Sequence, residues 1–174
     1  MLIMGIDPGY ATVGYGIISF ENGKLKAVDY GSIFTEAKTP FPARLEQIYD
    51  RFEGIFGLYK VKVVSVEKLY FQNNQKTAIN VSQARGVIIL SAQKAGAKIC
   101  EYTPLEVKMS VTGAGRASKI QIMSMVKRLL LLKEIPKPDD TADALAVAVC
   151  HAQASGIKNK ILERQKGVYG RLFL

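Results

Sequence analysis

Leu2-Ile3-Met4-Gly5-Ile6-Asp7-Pro8-Gly9 reads as a buried strand that ends on a carboxylate and turns at once. The run is apolar without alternation, as expected of a strand covered on both faces. Pro8-Gly9 then stops it. A second run, Val61-Lys62-Val63-Val64-Ser65-Val66, also ends on an acid, Glu67. If the two strands are neighbours, both carboxylates emerge on one edge of a sheet. Open α/β sheets bind ligands outside the carboxyl ends of their strands. A third apolar segment opens on Asp140 and Asp143, spaced i, i+3. That spacing puts both on one helix face, with Cβ atoms about 5–6 Å apart. Each acid alone has an ordinary reading. Asp7 is a turn former before Pro-Gly, and Glu67 a partner for one of many lysines. Asp140 or Asp143 is an acid in a helix first turn, with Asp139 as a competing cap.

The rest of the chain supplies the frame. Residues 13–20 and 25–33 read as two strands joined by a hairpin turn at Glu21-Asn22-Gly23. Residues 41–59 form an amphipathic helix, with Leu45, Ile48, Tyr49, Phe52, Ile55 and Phe56 on the apolar face and Arg44, Glu46, Asp50, Arg51 and Glu53 on the other. The strand at 61–66 follows, then an aromatic and amide-rich loop at 68–75. A helix at 76–95 has apolar residues on more than one side and small residues between them, so it is expected to be buried on two sides, the second against another subunit. A strand at 97–102 leads to a short helix near 104–111, with Pro104 at its first position. A flexible Gly-rich loop at 112–117 precedes a helix capped by Ser118 and Gln121 and running to about 132. Pro136 and Pro138 break the chain. The last helix is expected over 140–154, ended by Gly156, with a basic tail at 156–174. Three strands in a meander followed by alternating helix and strand define an α/β fold. It is a mixed five-stranded sheet, antiparallel then parallel, with helices on both faces.

The 174 residues suffice for one domain with a real core. The net charge of +9 favours a polyanionic partner, nucleic acid or an anionic membrane surface. No apolar stretch is long enough to cross a bilayer, and the N-terminus lacks a leader pattern, so a cytoplasmic protein with no membrane partner is expected. Cys100 and Cys150, far apart, read as buried thiols of a reducing compartment. With His151 the only histidine, a zinc site is excluded and His151 reads as structural. Clustered carboxylates repel one another. In so basic a chain, their natural compensation is a pair of hard cations, Mg²⁺ or Mn²⁺. Two such ions about 4 Å apart hydrolyse phosphodiesters by activating water and stabilising the leaving oxygen.

The same logic marks cations and rings. Lys119 falls in a helix first turn, where a nearby phosphate would relieve its unfavourable position. Lys108 and Arg116 flank the Gly-rich loop and extend the basic surface. Tyr70 and Phe71 follow Glu67, and exposed aromatic rings can stack on the unpaired bases of a nucleic acid. One of the two is expected to point in and one out.

Taken together, Gly5-Ile6-Asp7-Pro8-Gly9, Thr12-Val13-Gly14-Tyr15-Gly16, Val66-Glu67, Gln83-Ala84-Arg85-Gly86 and Asp140-Thr141-Ala142-Asp143-Ala144-Leu145-Ala146 resemble the RuvC family of Holliday junction resolvases. The resemblance runs from residue 2 to about 154 in the right order and spacing. It implies an RNase H-like nuclease domain over 1–155. It implies four carboxylates, Asp7, Glu67, Asp140 and Asp143, binding two Mg²⁺ per site, with Mn²⁺ substituting. It also implies a homodimer that nicks two symmetric strands of a four-way junction in recombination and repair, alongside junction-binding and branch-migration motor proteins. Lys108 and Lys119 match family lysines near the active site. Tyr70 takes the place of a stacking aromatic that is often Phe in the family. Rival readings are another RNase H-like nuclease acting on RNA or branched DNA, and a junction-binding protein without chemistry. The Asp-Pro-Gly turn also resembles the phosphate loop of actin-like ATPases, which need two lobes and a longer chain.

Overall fold

A computed structural model describes residues 1–69 and 75–169, with side chains over 1–69 and 77–156. Three strands open it: β1 (Leu2–Asp7), β2 (Thr12–Glu21) and β3 (Lys24–Phe34). Then come α1 (Phe41–Leu58), β4 (Val63–Glu67), α2 (Gln75–Lys94), β5 (Lys98–Tyr102), α3 (Pro104–Thr112), α4 (Lys119–Leu129) and α5 (Asp139–Tyr169). The five strands form one sheet in the order β3-β2-β1-β4-β5. The β1–β2 and β2–β3 pairs are antiparallel, whereas β1–β4 and β4–β5 are parallel. The hairpin closes through Asn22 and Gly23, at φ 50° and 78°, the left-handed pair that a two-residue hairpin turn demands.

Two helical layers cover the sheet. On one face α1 and α2 bury Ile48, Phe52, Ala84 and Ile88 against Met4, Ile6, Ile17, Val64 and Val66. On the other, α3, α4 and α5 bury Val107, Val126, Leu145 and Ala148 against Ile3, Ile18 and Val63. The α5 helix crosses β1 and β2 at unusually close range. A Cβ on Gly5 would stand 2.0 Å from the Ala144 carbonyl oxygen, and one on Gly14 would stand 2.0 Å from that of Asp140. Glycine is required here because no side chain fits between helix and sheet.

Four local expectations change. The last helix does not stop at Gly156 but continues to Tyr169, because a single glycine costs a helix only about 1 kcal/mol and the residues beyond it favour helix. The 112–117 segment is a pinned turn. Gly113 caps α3 at φ 74°, Ala114 N donates to Thr112 Oγ1 at 3.1 Å, and the Thr112 hydroxyl donates to Lys108 O at 2.8 Å. Cys100 is only half-buried, whereas Cys150 is buried. Arg44, read as part of the wet face of α1, is buried.

Gly14→Ala is expected to lower unfolding free energy by at least about 2 kcal/mol, since overpacking against backbone cannot relax cheaply. Gly54→Ala, where an added Cβ meets nothing within 4 Å, is expected to be neutral or stabilising. Urea unfolding of both variants checks the contrast; equal effects would contradict the close approach of α5.

Candidate active site

The β1–β4 register pairs Ile6 with Val66, so Asp7 and Glu67 leave adjacent parallel strands side by side. On its other side Asp7 pairs with Gly14. The backbone of Asp140 lies directly over Gly14, which brings the first turn of α5 onto the same sheet edge. Asp143 follows one turn later. Four acids from three distant segments therefore converge. The Ser32 and Thr141 hydroxyls, 2.8 Å apart, tie β3 to this end of α5.

The electrostatics record that convergence. Burial, then Asp143, Glu67 and Asp140, push the Asp7 carboxyl up to about 7, and Lys119 opposes them. Glu67 is raised by burial and by Asp143, with Lys108 and Lys119 pulling it back. Asp143 is raised chiefly by burial, and its hydrogen bond to Lys119 opposes the rise. Two of the acids, Glu67 and Asp143, line a cleft of about 230 Å³ with Lys108 and Lys119, and Val107 and Ile122 are among its apolar walls.

Lys119 is the first residue of α4, behind a complete capping box in which Ser118 accepts from Gln121 N and the Gln121 side chain accepts from Ser118 N. Its ammonium lies 2.6 Å from Asp139 Oδ2 and 3.1 Å from Asp143 Oδ2. Those partners raise its pKa, Asp139 first. Asp139 is thus the lysine's holder rather than a cap. Its signal in the sequence was only its place beside Asp140. Arg116 is exposed on the turn after α3 and is not among the described cleft-lining residues. Tyr70 and Phe71 lie outside the described residues. His151 is structural: its Nδ1 is 2.8 Å from the Tyr102 hydroxyl, and burial lowers its pKa.

No three acids, cysteines or histidines among the described residues stand as a preformed metal cage. Asp143 is turned onto Lys119 instead. The donor set still fits a hard divalent cation. Every candidate ligand is a carboxylate oxygen, the group is short of positive charge, and a cation already sits on one member.

A mixed sheet in this order, with acids at the ends of its two central parallel strands and on the helix that crosses them, defines an RNase H-like nuclease domain. Residues 3–151 match the family model of crossover junction endodeoxyribonuclease RuvC. The protein of that name from Brevibacillus brevis is 54% identical over 153 residues, covering 88% of this chain and 92% of its own. The Thermus thermophilus RuvC structure superposes with a TM-score of 0.84 at 31% identity, over 91% of this chain and 97% of that one. The same protein in complex with Holliday junction substrate gives 0.83 at 29%, over 90% and 96%. The chain belongs to the RuvC family.

The raised Asp7 pKa makes a testable statement about stability. Folded Asp7 keeps its proton to about pH 7, whereas in the unfolded chain it loses it near 4. The folded state therefore binds more protons between those values, and metal-free stability falls as pH rises through that window. Asp7→Asn is expected to be more stable than the parent by about 1–3 kcal/mol at pH 8 and nearly equal at pH 4. Urea unfolding in EDTA at both pH values measures this; parallel profiles for the two proteins would count against the crowding of Asp7.

Proposed function

We propose that this chain is a cytoplasmic endodeoxyribonuclease that resolves four-way DNA junctions by paired symmetric nicks in recombination and repair. It works as a Mg²⁺-dependent homodimer. The observation that carries the reading is the convergence of three carboxylates, Glu67, Asp140 and Asp143, on that of Asp7 in a protein of net charge +9. Membership of the RuvC family and the junction complex of the Thermus relative support the substrate.

Asp7, Glu67, Asp140 and Asp143 would hold two Mg²⁺, with Mn²⁺ substituting. When bound, such ions lower the pKa of an attacking water and neutralise the leaving 3′-oxygen. The rest falls to the chain. Deprotonated Asp7 supplies the ligand that its neighbours otherwise discourage. Lys119, now shared between Asp139 and Asp143, turns to the phosphate entering the cleft and opposes charge built up there. Asp139 keeps that lysine within reach. Lys108, on the cleft wall, contacts the flanking phosphate, and Arg116 extends the basic track. Val107 and Ile122 keep bulk water from the reacting side. Tyr70 and Phe71 stack on bases at the crossover.

The second subunit is expected on α2. Its outward stripe carries Ile79, 60% exposed, and Leu90, 55% exposed. Gly86 lies between them with open space where a Cβ would be. A self-complementary apolar stripe of this kind suits a two-fold contact. Junction-binding and branch-migration motor proteins are the further partners proposed.

The decisive experiment uses a synthetic four-way junction with and without Mg²⁺. Wild type is expected to nick two opposed strands. Asp7→Asn, Glu67→Gln, Asp140→Asn and Asp143→Asn are expected to bind the junction and not cut it. Retained cutting by any one of them removes that acid from the site. Junction affinity is expected to fall steeply with salt as counterions are released. Leu90→Glu is expected to give a monomer by light scattering and to lose paired nicking; an unaltered dimer would place the interface elsewhere.

A further inference from the structure

Among the described residues Arg44 is the only buried lysine or arginine, 7% exposed, and no acid pairs with it. Its partners are neutral and lie on two segments, the turn after β1 and the residue after β3. Nε donates to Thr35 Oγ1 at 2.7 Å, and Nη2 donates to the Tyr10 carbonyl at 3.1 Å. The guanidinium carbon lies 4.6 Å from the centre of the Tyr10 ring, whose edge meets Phe41. Thr35 completes the grip: its hydroxyl donates to the Tyr10 carbonyl at 2.6 Å, and its amide donates to the Ala11 carbonyl at 3.0 Å. Two donors from different elements thus hold one carbonyl of the turn that follows Asp7.

A buried cation without a counter-ion is an expensive way to stabilise a helix start, since an apolar side chain would fill the space at lower cost. What the guanidinium adds is direction. It ties the 8–11 turn to the start of α1 and to the residue after β3. Asp7 stands beside Glu67 on the next strand and beside Gly14, over which Asp140 lies, and like charges so placed favour moving the strand end outward. A turn anchored on the far side resists the movement.

We infer that Arg44, through Thr35, is a positioning residue that clamps the Pro8–Ala11 turn and so holds the Asp7 carboxylate inside the acid cluster. The inference rests on the junction-nuclease reading above and adds a residue that touches neither DNA nor metal.

The test compares Arg44→Met, Arg44→Lys and Thr35→Val with Ile48→Val, a core change one turn along the same helix. Each is assayed for junction affinity in EDTA, for single-turnover cleavage, and for the rise in unfolding temperature that Mn²⁺ gives the DNA-free protein. Arg44→Met is expected to bind the junction within twofold of wild type. Its cleavage is expected to fall about 10- to 100-fold, with the Mn²⁺ midpoint of the thermal shift rising by a similar factor, as for other residues that orient metal ligands. Arg44→Lys and Thr35→Val are expected to fall between it and wild type. Ile48→Val is expected to lose stability without moving either readout. Unchanged cleavage and an unchanged Mn²⁺ midpoint in Arg44→Met would make Arg44 merely structural and overturn the inference. If Arg44→Met does not fold, Thr35→Val decides by the same two readouts. Wild type that cuts no junction would sink the proposed function instead, and the Mn²⁺ midpoints would still judge the clamp.

Discussion

The close contact of α5 with β1 and β2 is the constraint on which the site depends. Two of the four acids belong to strands and two to a helix that begins more than 130 residues after β1. They meet because Gly5 and Gly14 leave no side chain between sheet and helix, so that Asp140 lies on the strand next to Asp7. A side chain at either position would push the helix away and hold the acids of α5 farther from those of the strands. Small residues on the helix side, Ala144 and Ala148, complete the fit and are fully buried. Packing and site geometry are therefore one property of this fold.

That packing forces an electrostatic cost upon the protein. Four acids share a half-buried corner, and Asp7 answers by keeping its proton to about pH 7. Without a bound cation, the stability that the protonated carboxyl contributes declines as pH rises from about 4 to 7. Lys119 relieves part of the strain from within the chain by resting on Asp143 and Asp139. If the site takes the proposed cations, the lysine and an incoming cation would compete for Asp143.

How far the sequence spoke for this follows from the range of each interaction. Asp7 and Glu67 were legible because each ends an apolar run, a signal contained in six or seven residues. Asp140 and Asp143 were legible as a helical pair. Their meeting with Asp7 was expected from the four acids taken together and from the family resemblance, but the close approach that achieves it was not, because Gly14 reveals its purpose only when the helix above it is known. Arg44 fell among acids and arginines on what periodicity made a wet face, yet it turns under Tyr10 and Thr35, partners that no helical wheel contains. Asp139 looked like a cap because its lysine lies twenty residues upstream. The end of α5 was misjudged for the opposite reason: Gly156 is a strong local signal, and the helix on either side of it outweighs one residue. The resemblance to RuvC supplied what local patterns could not, the order of the motifs along the whole chain.

The two faces of the sheet divide the work. Glu67 leaves β4 into the cleft, while Val64 and Val66 of the same strand pack with the cluster that holds Ala84 and Ile88 of α2. α5 and the cleft helices lie on the opposite side. A second copy docked on the outer stripe of α2 would thus leave the cleft open, with α2 and the sheet between the interface and Glu67. Arg85 of α2 is also ion-paired with Glu101 of β5, one residue before the strand position that pairs with Glu67. Any shift of α2 against its partner would be felt within two strands of the acid cluster. If the proposed second subunit docks on α2, this path gives it a physical means to influence the acid cluster.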